Sequence, residues 1–342
     1  GMPITYGAYG SGAMPLIAQG FRADTKDHLV VRDLRFTQSV RILHGSYNTV
    51  DSCVVNDNSN DYGGILMGYW WGPSDTWTGP VPHHNAVYNS TVTGNTWSGI
   101  EISGKNRNER IYACEVRGNH CYNNGCGIYL HYASSCTVSF NILHDNTVDT
   151  WVGEGYAIGL QTSEYNDIFG NLMYSNRTSG IEIWSGTGGP GGAYGSSDGN
   201  RVHHNIIYNN GTGGGSNNHG IFISGGNTAQ TRNTWIYYNV LYGNAGRNIL
   251  ISCNDAGNVT GTIFNNTLDG RALSMYNSDS TQVSGWEVRN NILYQCDLVF
   301  LENRESVNIA HSNNLYYGGT VRFSNYTYQN NVIPISYETT AS

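Results

Sequence analysis

The sequence predicts an all-β fold, a right-handed parallel β-helix in which about eleven coils of three short strands stack around one core. Three observations support it. A short unit with two regularly spaced asparagines recurs along most of the 342 residues, a third short apolar segment lies between consecutive units, and no stretch has helical periodicity. Such units cannot bury their apolar faces alone, so we expect them to stack as a solenoid that forms a single domain over residues 1–342.

The recurring unit reads apolar-x-x-Asn-apolar-apolar-x-x-Asn. Clear copies begin at Val138, Ile168, Val202 and Ile236, and weaker copies begin at Val30, Val50, Val87, Ile111, Ile263, Val288 and Ile309. In early copies the first asparagine is replaced by Asp33, Cys53, Ser90 and Cys114, whereas the second is kept at Asn58, Asn95 and Asn119. The second asparagine therefore keeps its position, five residues after the position of the first asparagine, even where the first asparagine is replaced.

The asparagines suit tight turns between stacked strands. An asparagine tolerates left-handed backbone geometry, and its amide can hydrogen-bond the equivalent asparagine of the next coil. We therefore predict that Asn141, Asn171, Asn205 and Asn239 form one internal ladder. The alternative, asparagine-rich loops in an ordinary β-sandwich, leaves the fixed spacing unexplained.

The third segment has the form Gly-Ile-x-Ile, as in Gly99-Ile-Glu-Ile102 and Gly180-Ile-Glu-Ile183. Because side chains alternate along a strand, the two isoleucines point inward, and x and the residue after the second isoleucine point outward. Coil by coil, the outward pairs are Leu66/Gly68, Glu101/Ser103, Tyr129/His131, Gly159/Gln161, Glu182/Trp184, Phe222/Ser224 and Leu250/Ser252. Such a polar and aromatic face is typical of a sugar-binding groove, although a merely solvated sheet face is the alternative.

Insertions favour the groove, because the two longest coils, 50–87 and 168–236, place their extra residues beside this strand. Aromatic rings offer flat apolar surfaces to sugar rings. The residues we expect to bind substrate are Tyr129, Trp184, Trp70, Trp71, Gln161 and Lys105.

With these motifs the sequence resembles the pectate-lyase-like superfamily of right-handed parallel β-helices. The resemblance covers roughly residues 20–330, and the opening Pro3-Ile-Thr-Tyr-Gly-Ala-Tyr-Gly is similar to the first strand of many members. The superfamily contains polysaccharide lyases, glycoside hydrolases, sugar epimerases, pectin esterases and phage tailspikes, so the resemblance implies the fold and leaves the chemistry open. The chain has no Asp-Pro-His signature of an epimerase.

The catalytic candidates are three glutamates and a histidine. Glu182 lies mid-strand beside Trp184, and Glu154, in the loop that enters the preceding coil, is its most feasible partner. Glu101 with His131, one coil apart, is the second constellation. Glu101 and Glu182 are three coils, about 14 Å, apart, farther than the roughly 5–9.5 Å between glycosidase carboxyl groups.

Three functions follow from this face. Carboxylates with one lysine suit hydrolysis of a neutral or weakly charged glycan, which needs no cofactor and is the favoured interpretation. A lyase or epimerase acting on a uronate polymer would use His131 or Lys105 as base and Tyr129 as acid, with Ca²⁺ neutralising the substrate. A non-catalytic glycan-binding or tailspike-like module is the third.

Composition excludes other partners and indicates the compartment. A net charge of −8 with only two lysines argues against nucleic acid, and no apolar run reaches the roughly 20 residues that span a bilayer. The seven cysteines are an odd number, so at least one stays unpaired. The chain begins Gly1-Met2 with no signal peptide, and we expect a secreted protein that has lost its leader. The tail after Asn331 is short, polar and lacks an obvious cap, so we also expect the native chain to be longer.

Overall fold

The structure is a computed structural model. It describes residues 2–56, 63–70, 75–147, 155–185, 195–213, 217–225, 230–253, 258–277, 285–300, 309–318 and 321–323. Within these ranges the chain is a right-handed parallel β-helix without helices, as the sequence predicts. No helix in the described part of the chain is long and apolar enough to cross a membrane.

Three parallel sheets of twelve strands each run the length of the described chain. The first sheet contains Ile4–Gly7, Leu29–Arg32, Thr49–Asp51, Ala86–Tyr88, Glu115–Arg117, Thr137–Ser139, Asp167–Phe169, Arg201–His203, Thr231–Tyr237, Val259–Phe264, Trp286–Arg289 and Ala310–Ser312. The second contains Leu16–Ile17, Arg35–Phe36, Val54–Asn56, Thr91–Thr93, His120–Tyr122, Ile142–His144, Leu172–Tyr174, Ile206–Tyr208, Val240–Tyr242, Thr267–Asp269, Ile292–Tyr294 and Leu315–Tyr317.

The third sheet contains Phe21–Asp24, Val40–Leu43, Ile65–Gly68, Ser98–Ser103, Cys126–His131, Ile158–Gln161, Ile181–Ser185, Ile221–Gly225, Ile249–Cys253, Leu273–Asn277, Leu298–Phe300 and Val321–Phe323. A two-stranded sheet, Ile111–Tyr112 with Ala133–Ser134, lies beside these three. The twelfth coil, one more than the repeat count, is the N-terminal one, and it lacks the asparagine unit.

The first and second sheets each contribute one column of inward side chains to the core, and the third sheet contributes two. Ile183, Ile207 and Val202, one from each sheet, are fully buried and belong to the same continuous cluster. The register of the third sheet pairs Ile102 with Leu130 and Ile158 with Ile181, so like side chains stack on like from coil to coil. Period-2 alternation thus puts half of every strand in the core and leaves the other half outside.

The predicted asparagine ladder is confirmed. Asn141 donates its backbone N–H and its amide Nδ2 to the Oδ1 of Asn171, at 3.0 and 2.9 Å, and the same pair of bonds links Asn171 to Asn205 and Asn205 to Asn239. The ladder continues to Asn119 on one side and through Asn266 and Asn291 to Asn314 on the other.

Two details of the repeat were wrong. The residue with left-handed backbone geometry at each turn is the one before the ladder asparagine, as at Phe140 (φ 55°) and His204 (φ 54°). The asparagine itself therefore contributes side-chain hydrogen bonds rather than the left-handed conformation.

Three weak copies were misplaced. The copy at Ile111 was placed five residues early, because Asn119 belongs to the first ladder and Asn124 to the second. The copies at Val30 and Ile309 were placed one and two residues early, because Val50 pairs with Val31 and Val288 pairs with His311. Because the two asparagines of a unit are five residues apart, the pattern at Ile111 also matches when it starts five residues too early. Asn58 lies outside the described residues.

Candidate functional site

The outward face of the third sheet brings most of the candidate residues together. Its register pairs Glu101 with Tyr129, Tyr129 with Gly159, and Gly159 with Glu182. A second outward column runs parallel to this one and contains Ser103, His131, Gln161 and Trp184. Because neighbouring strands are about 4.8 Å apart, the three strand steps from Glu101 to Glu182 span about 14 Å.

Aromatic rings fill the space between the two glutamates. Tyr129 stacks on Trp184 at 6.1 Å and on His131 at 5.5 Å, and Tyr156 meets Trp184 edge-on at 5.6 Å. Gly159 makes this packing possible, because a Cβ there would collide with the ring of Tyr156. The Tyr129 hydroxyl hydrogen-bonds the Gln161 side-chain oxygen. We call Tyr129, His131, Tyr156 and Trp184 the aromatic cluster.

Glu101 is a buried carboxyl on this face with a raised pKa. It is 1% exposed, and Gly63 passes so close that a Cβ there would lie 3.3 Å from the Glu101 Cβ. Burial raises the pKa of Glu101 to about 7, opposed by hydrogen bonds from Ser98 and Ser103. Ser98 reaches Oε2 at 3.5 Å, and Oε1 has no hydrogen-bond partner among the described residues. The carboxyl is therefore held in a dry site where both protonation states are accessible near neutral pH.

His131 and Lys105 are held differently. Burial lowers the pKa of His131 to about 3, so its imidazole is neutral at physiological pH. Lys105 donates from Nζ to the carbonyl of Trp77 and lies 3.7 Å from Glu109. Its ammonium group therefore ties the 75–82 segment to the coils, whereas His131 lies within the aromatic cluster. Glu154 and Trp71 fall outside the described residues.

The N-terminal end of the same face is cationic, which the sequence interpretation missed. In the strand register Arg22 lies beside Arg41, and Arg41 lies beside Leu66. Leu66 in turn lies beside Glu101 in the outward column. Trp70 covers the two guanidinium groups, 4.6 Å from Arg41 and 5.6 Å from Arg22. The alternation in Val40-Arg-Ile-Leu43 was the available signal, but this strand lacks the Gly-Ile-x-Ile form of the later coils.

His44 anchors the neighbouring insertion. Its Nδ1 contacts Asp24 at 2.7 Å and its Nε2 contacts Asp75 at 2.9 Å, while Trp77 stacks on its ring at 5.0 Å. The Asp75 carboxylate also accepts the backbone N–H groups of Trp70 and Trp77. This bonding fixes Trp70, Asp75 and Trp77 against the third sheet.

An open concavity lies elsewhere, along the first sheet. A notch of about 300 Å³ is lined by Tyr165, Gly199, Arg201, Asn233 and Trp235. Tyr165 is 60% and Trp235 49% exposed. The third-sheet face remains the stronger candidate for chemistry, because the perturbed carboxyl and the aromatic cluster lie there. The notch is better suited to binding.

Comparisons with known proteins agree with this fold. The family described as periplasmic copper-binding protein (NosD) matches residues 75–256, more than half of the chain. No curated protein sequence matches. Among solved structures, the A-module of the mannuronan C-5 epimerase AlgE4 from Azotobacter vinelandii is similar with a TM-score of 0.68 and 12% identity, over 92% of this chain and 90% of that one. A hyperthermoactive exopolygalacturonase from Thermotoga maritima is similar with a TM-score of 0.51 and 12% identity, over 86% and 83%. At these identities the likeness shows the fold alone.

Proposed function

We propose that this chain, which belongs to the family described as periplasmic copper-binding protein (NosD), acts on a polysaccharide or oligosaccharide at the outward face of its third sheet. The observation that carries the proposal is the buried Glu101 carboxyl with a pKa of about 7. A catalytic acid is most effective when its pKa lies near the working pH. The two similar structures, an epimerase of mannuronan and an exopolygalacturonase, support a carbohydrate as substrate. The family description supports the periplasm as compartment.

Hydrolysis of a glycosidic bond is the reaction we favour. Protonated Glu101 donates its proton to the leaving glycosidic oxygen, water adds its hydroxyl to the anomeric carbon, and the remaining proton of that water passes through solvent to reprotonate Glu101. The aromatic cluster beside Glu101 keeps water away and raises the energy of the ionised carboxylate. Glu182 is too distant to act as the second carboxyl group, and the partner predicted for Glu101 from the sequence is His131, one coil away.

The copper in the family description finds no matching centre in the described residues. No group of three or more His, Cys, Asp or Glu side chains there could hold a metal ion. The closest arrangements are pairs, such as His120 and His144 with their Nε2 atoms 2.7 Å apart. Soft thiolate donors select Cu(I), yet the six described cysteines are buried, and burial raises the pKa of the Cys121 thiol. We derive no step through copper.

One observation favours a second candidate, a lyase or epimerase. Arg22 and Arg41 add two guanidinium groups to the face that carries Glu101, and such groups bind carboxylates bidentately. They would neutralise a uronate, which weakens the charge argument for a neutral glycan. A third candidate, a non-catalytic glycan-binding module, is favoured by the exposed Tyr165 and Trp235 rings of the notch.

The experiment compares wild-type protein, Glu101→Gln and the matched variant Glu182→Gln on a panel of neutral and uronate polysaccharides. We expect new reducing ends without an unsaturated product, lost in Glu101→Gln and kept in Glu182→Gln. An unsaturated or epimerised product would instead support a lyase or an epimerase, the second candidate. Binding without turnover on every polymer, or full activity of Glu101→Gln, would refute the proposal.

A further inference from the structure

The recurring unit contains an apolar residue that the core does not use. After six of the eight ladder asparagines come two apolar residues, the exceptions being His120 and Thr267, and the second residue of each pair is buried, as in Leu143, Ile207 and Leu241. The first points to solvent: Ile142 is 41% and Ile206 44% exposed. A β-helix needs only the inward column to fold. The outward apolar residue therefore requires another explanation.

These residues line up on the outward face of the second sheet. The register carries one column through Ile142, Leu172, Ile206, Val240, Thr267, Ile292 and Leu315, and a parallel column through His144, Tyr174, Tyr208, Tyr242, Asp269, Tyr294 and Tyr317. We call these two columns the apolar face. Asp269 is its one Asp, Glu, Lys or Arg, whereas the outward positions of the first sheet include Glu115, Arg117, Asp167, Arg201, Glu287 and Arg289.

The tyrosine column is shaped for a flat partner and poorly shaped for a sugar. Tyr174 stacks on Tyr208 at 5.1 Å, and Tyr208 on Tyr242 at 4.9 Å with an interplanar angle of 5°. Each ring covers the faces of its neighbours, so only ring edges reach solvent along the column. A sugar ring packs on an aromatic face, and these faces are already occupied.

The area is large enough for a stable dimer. Eight residues of the apolar face are 37–46% exposed. With roughly 80 Å² exposed on each, and less on the other members, the face presents roughly 800 Å². Monomers rarely expose apolar patches beyond about 300–600 Å², and a standard interface buries about 800 Å² per partner.

We propose that the apolar face is the contact between two copies of this chain. Two sheets can pack face to face at about 10 Å, and one twofold axis lets the same two columns serve both partners. The absence of a charge pattern on the face favours a second identical face over a charged partner. The dimer leaves the third sheet, and with it Glu101, on a different side of each coil.

Analytical ultracentrifugation of the full chain, with Val240→Glu and the matched control Thr262→Glu, tests this. Val240 and Thr262 both point outward from strands, on the second and first sheet respectively. We expect the wild type and Thr262→Glu to sediment at twice 37.5 kDa at micromolar concentration, and Val240→Glu to sediment as a 37.5 kDa monomer with unchanged circular dichroism. A monomeric wild type, or a Val240→Glu variant that stays dimeric, would overturn the proposal.

Should Val240→Glu lose its circular dichroism, Tyr242→Ser replaces it, because that side chain is 37% exposed and its removal leaves the core unchanged. We expect at least a tenfold weaker dimer, since an exposed tyrosine at an interface centre contributes more than about 1.4 kcal/mol. An unchanged dissociation constant for a folded Tyr242→Ser variant would also count against the apolar face.

Discussion

Replacing Glu101 by glutamine should change how stability depends on pH. The pKa of Glu101 is about 7 in the folded chain, against an ordinary value of 4.5. Because the folded pKa is the higher one, the stabilisation from the protonated carboxyl is fully present below pH 4.5 and is lost as pH rises to about 7. A difference of about 2.5 pKa units corresponds to roughly 3 kcal/mol.

That free energy converts into a measurable shift in melting temperature. With about 2.1 cal/mol/K of unfolding entropy per residue, 342 residues give roughly 0.7 kcal/mol/K, so roughly 3 kcal/mol shifts Tm by about 4 °C. Glutamine keeps the shape of the side chain and cannot ionise. We expect the difference in Tm between Glu101→Gln and wild type to move by about 4 °C in favour of the variant from pH 5 to pH 8.

Differential scanning calorimetry of the wild type, Glu101→Gln and Glu287→Gln measures this difference. Glu287→Gln is the control at an exposed carboxyl, because the Glu287 side chain is 47% exposed and its ion pair with Arg289 is screened by solvent. The comparison with wild type removes the effect of His131, whose lowered pKa costs stability as pH falls from 6.5 towards 3. If the Tm difference between Glu101→Gln and wild type is the same at pH 5 and pH 8, the Glu101 carboxyl is not in a desolvated site.

Three further outcomes follow from the fold. Asn171→Leu should lower stability by at least about 1–3 kcal/mol, because it deprives the Val138 carbonyl and the Asn141 amide of their partners; an unchanged urea midpoint would contradict the ladder's role. At most one of the seven cysteines should react with a thiol reagent before unfolding, since the six described ones are buried, and rapid labelling of several would contradict this packing. Trp184→Ala should weaken glycan binding and the associated quenching of tryptophan fluorescence, whereas a variant that binds normally would move the binding site away from the aromatic cluster.

The fold could be predicted because it repeats. Ile181 and Ile183 recur in equivalent form at Ile221 and Ile223, and a pair of asparagines five residues apart recurs in successive coils, so each coil provides independent evidence for the same turn and strand. The N-terminal coil was not among the eleven predicted coils, because its strands at Leu16 and Phe21 have no accompanying asparagine unit. A short repeat also has an ambiguous phase, which explains the misplaced copy at Ile111.

The candidate site could be predicted only in part. Period-2 alternation placed Glu101, Tyr129 and Glu182 on one face, and the register confirms that placement. Period-2 alternation predicts to which side of the sheet a side chain points, but not how much of it is exposed to solvent. The burial of Glu101 depends on Gly63, which is distant in sequence. The pairing of His44 with Asp75 likewise depends on how an insertion folds back, which no strand pattern encodes.

The central claim, that Glu101 is the proton donor of a carbohydrate-acting site, is tested most directly by the pH dependence of kcat/KM on the polysaccharide that wild-type protein cleaves best. A general acid must be protonated in the free enzyme, so we predict that kcat/KM falls about tenfold per pH unit once pH exceeds about 7, the pKa of Glu101. Glu101→Gln should lack turnover at every pH while still binding the polymer. A profile that stays flat through pH 7 and 8, or a Glu101→Gln variant that keeps the wild-type profile, would contradict the assignment.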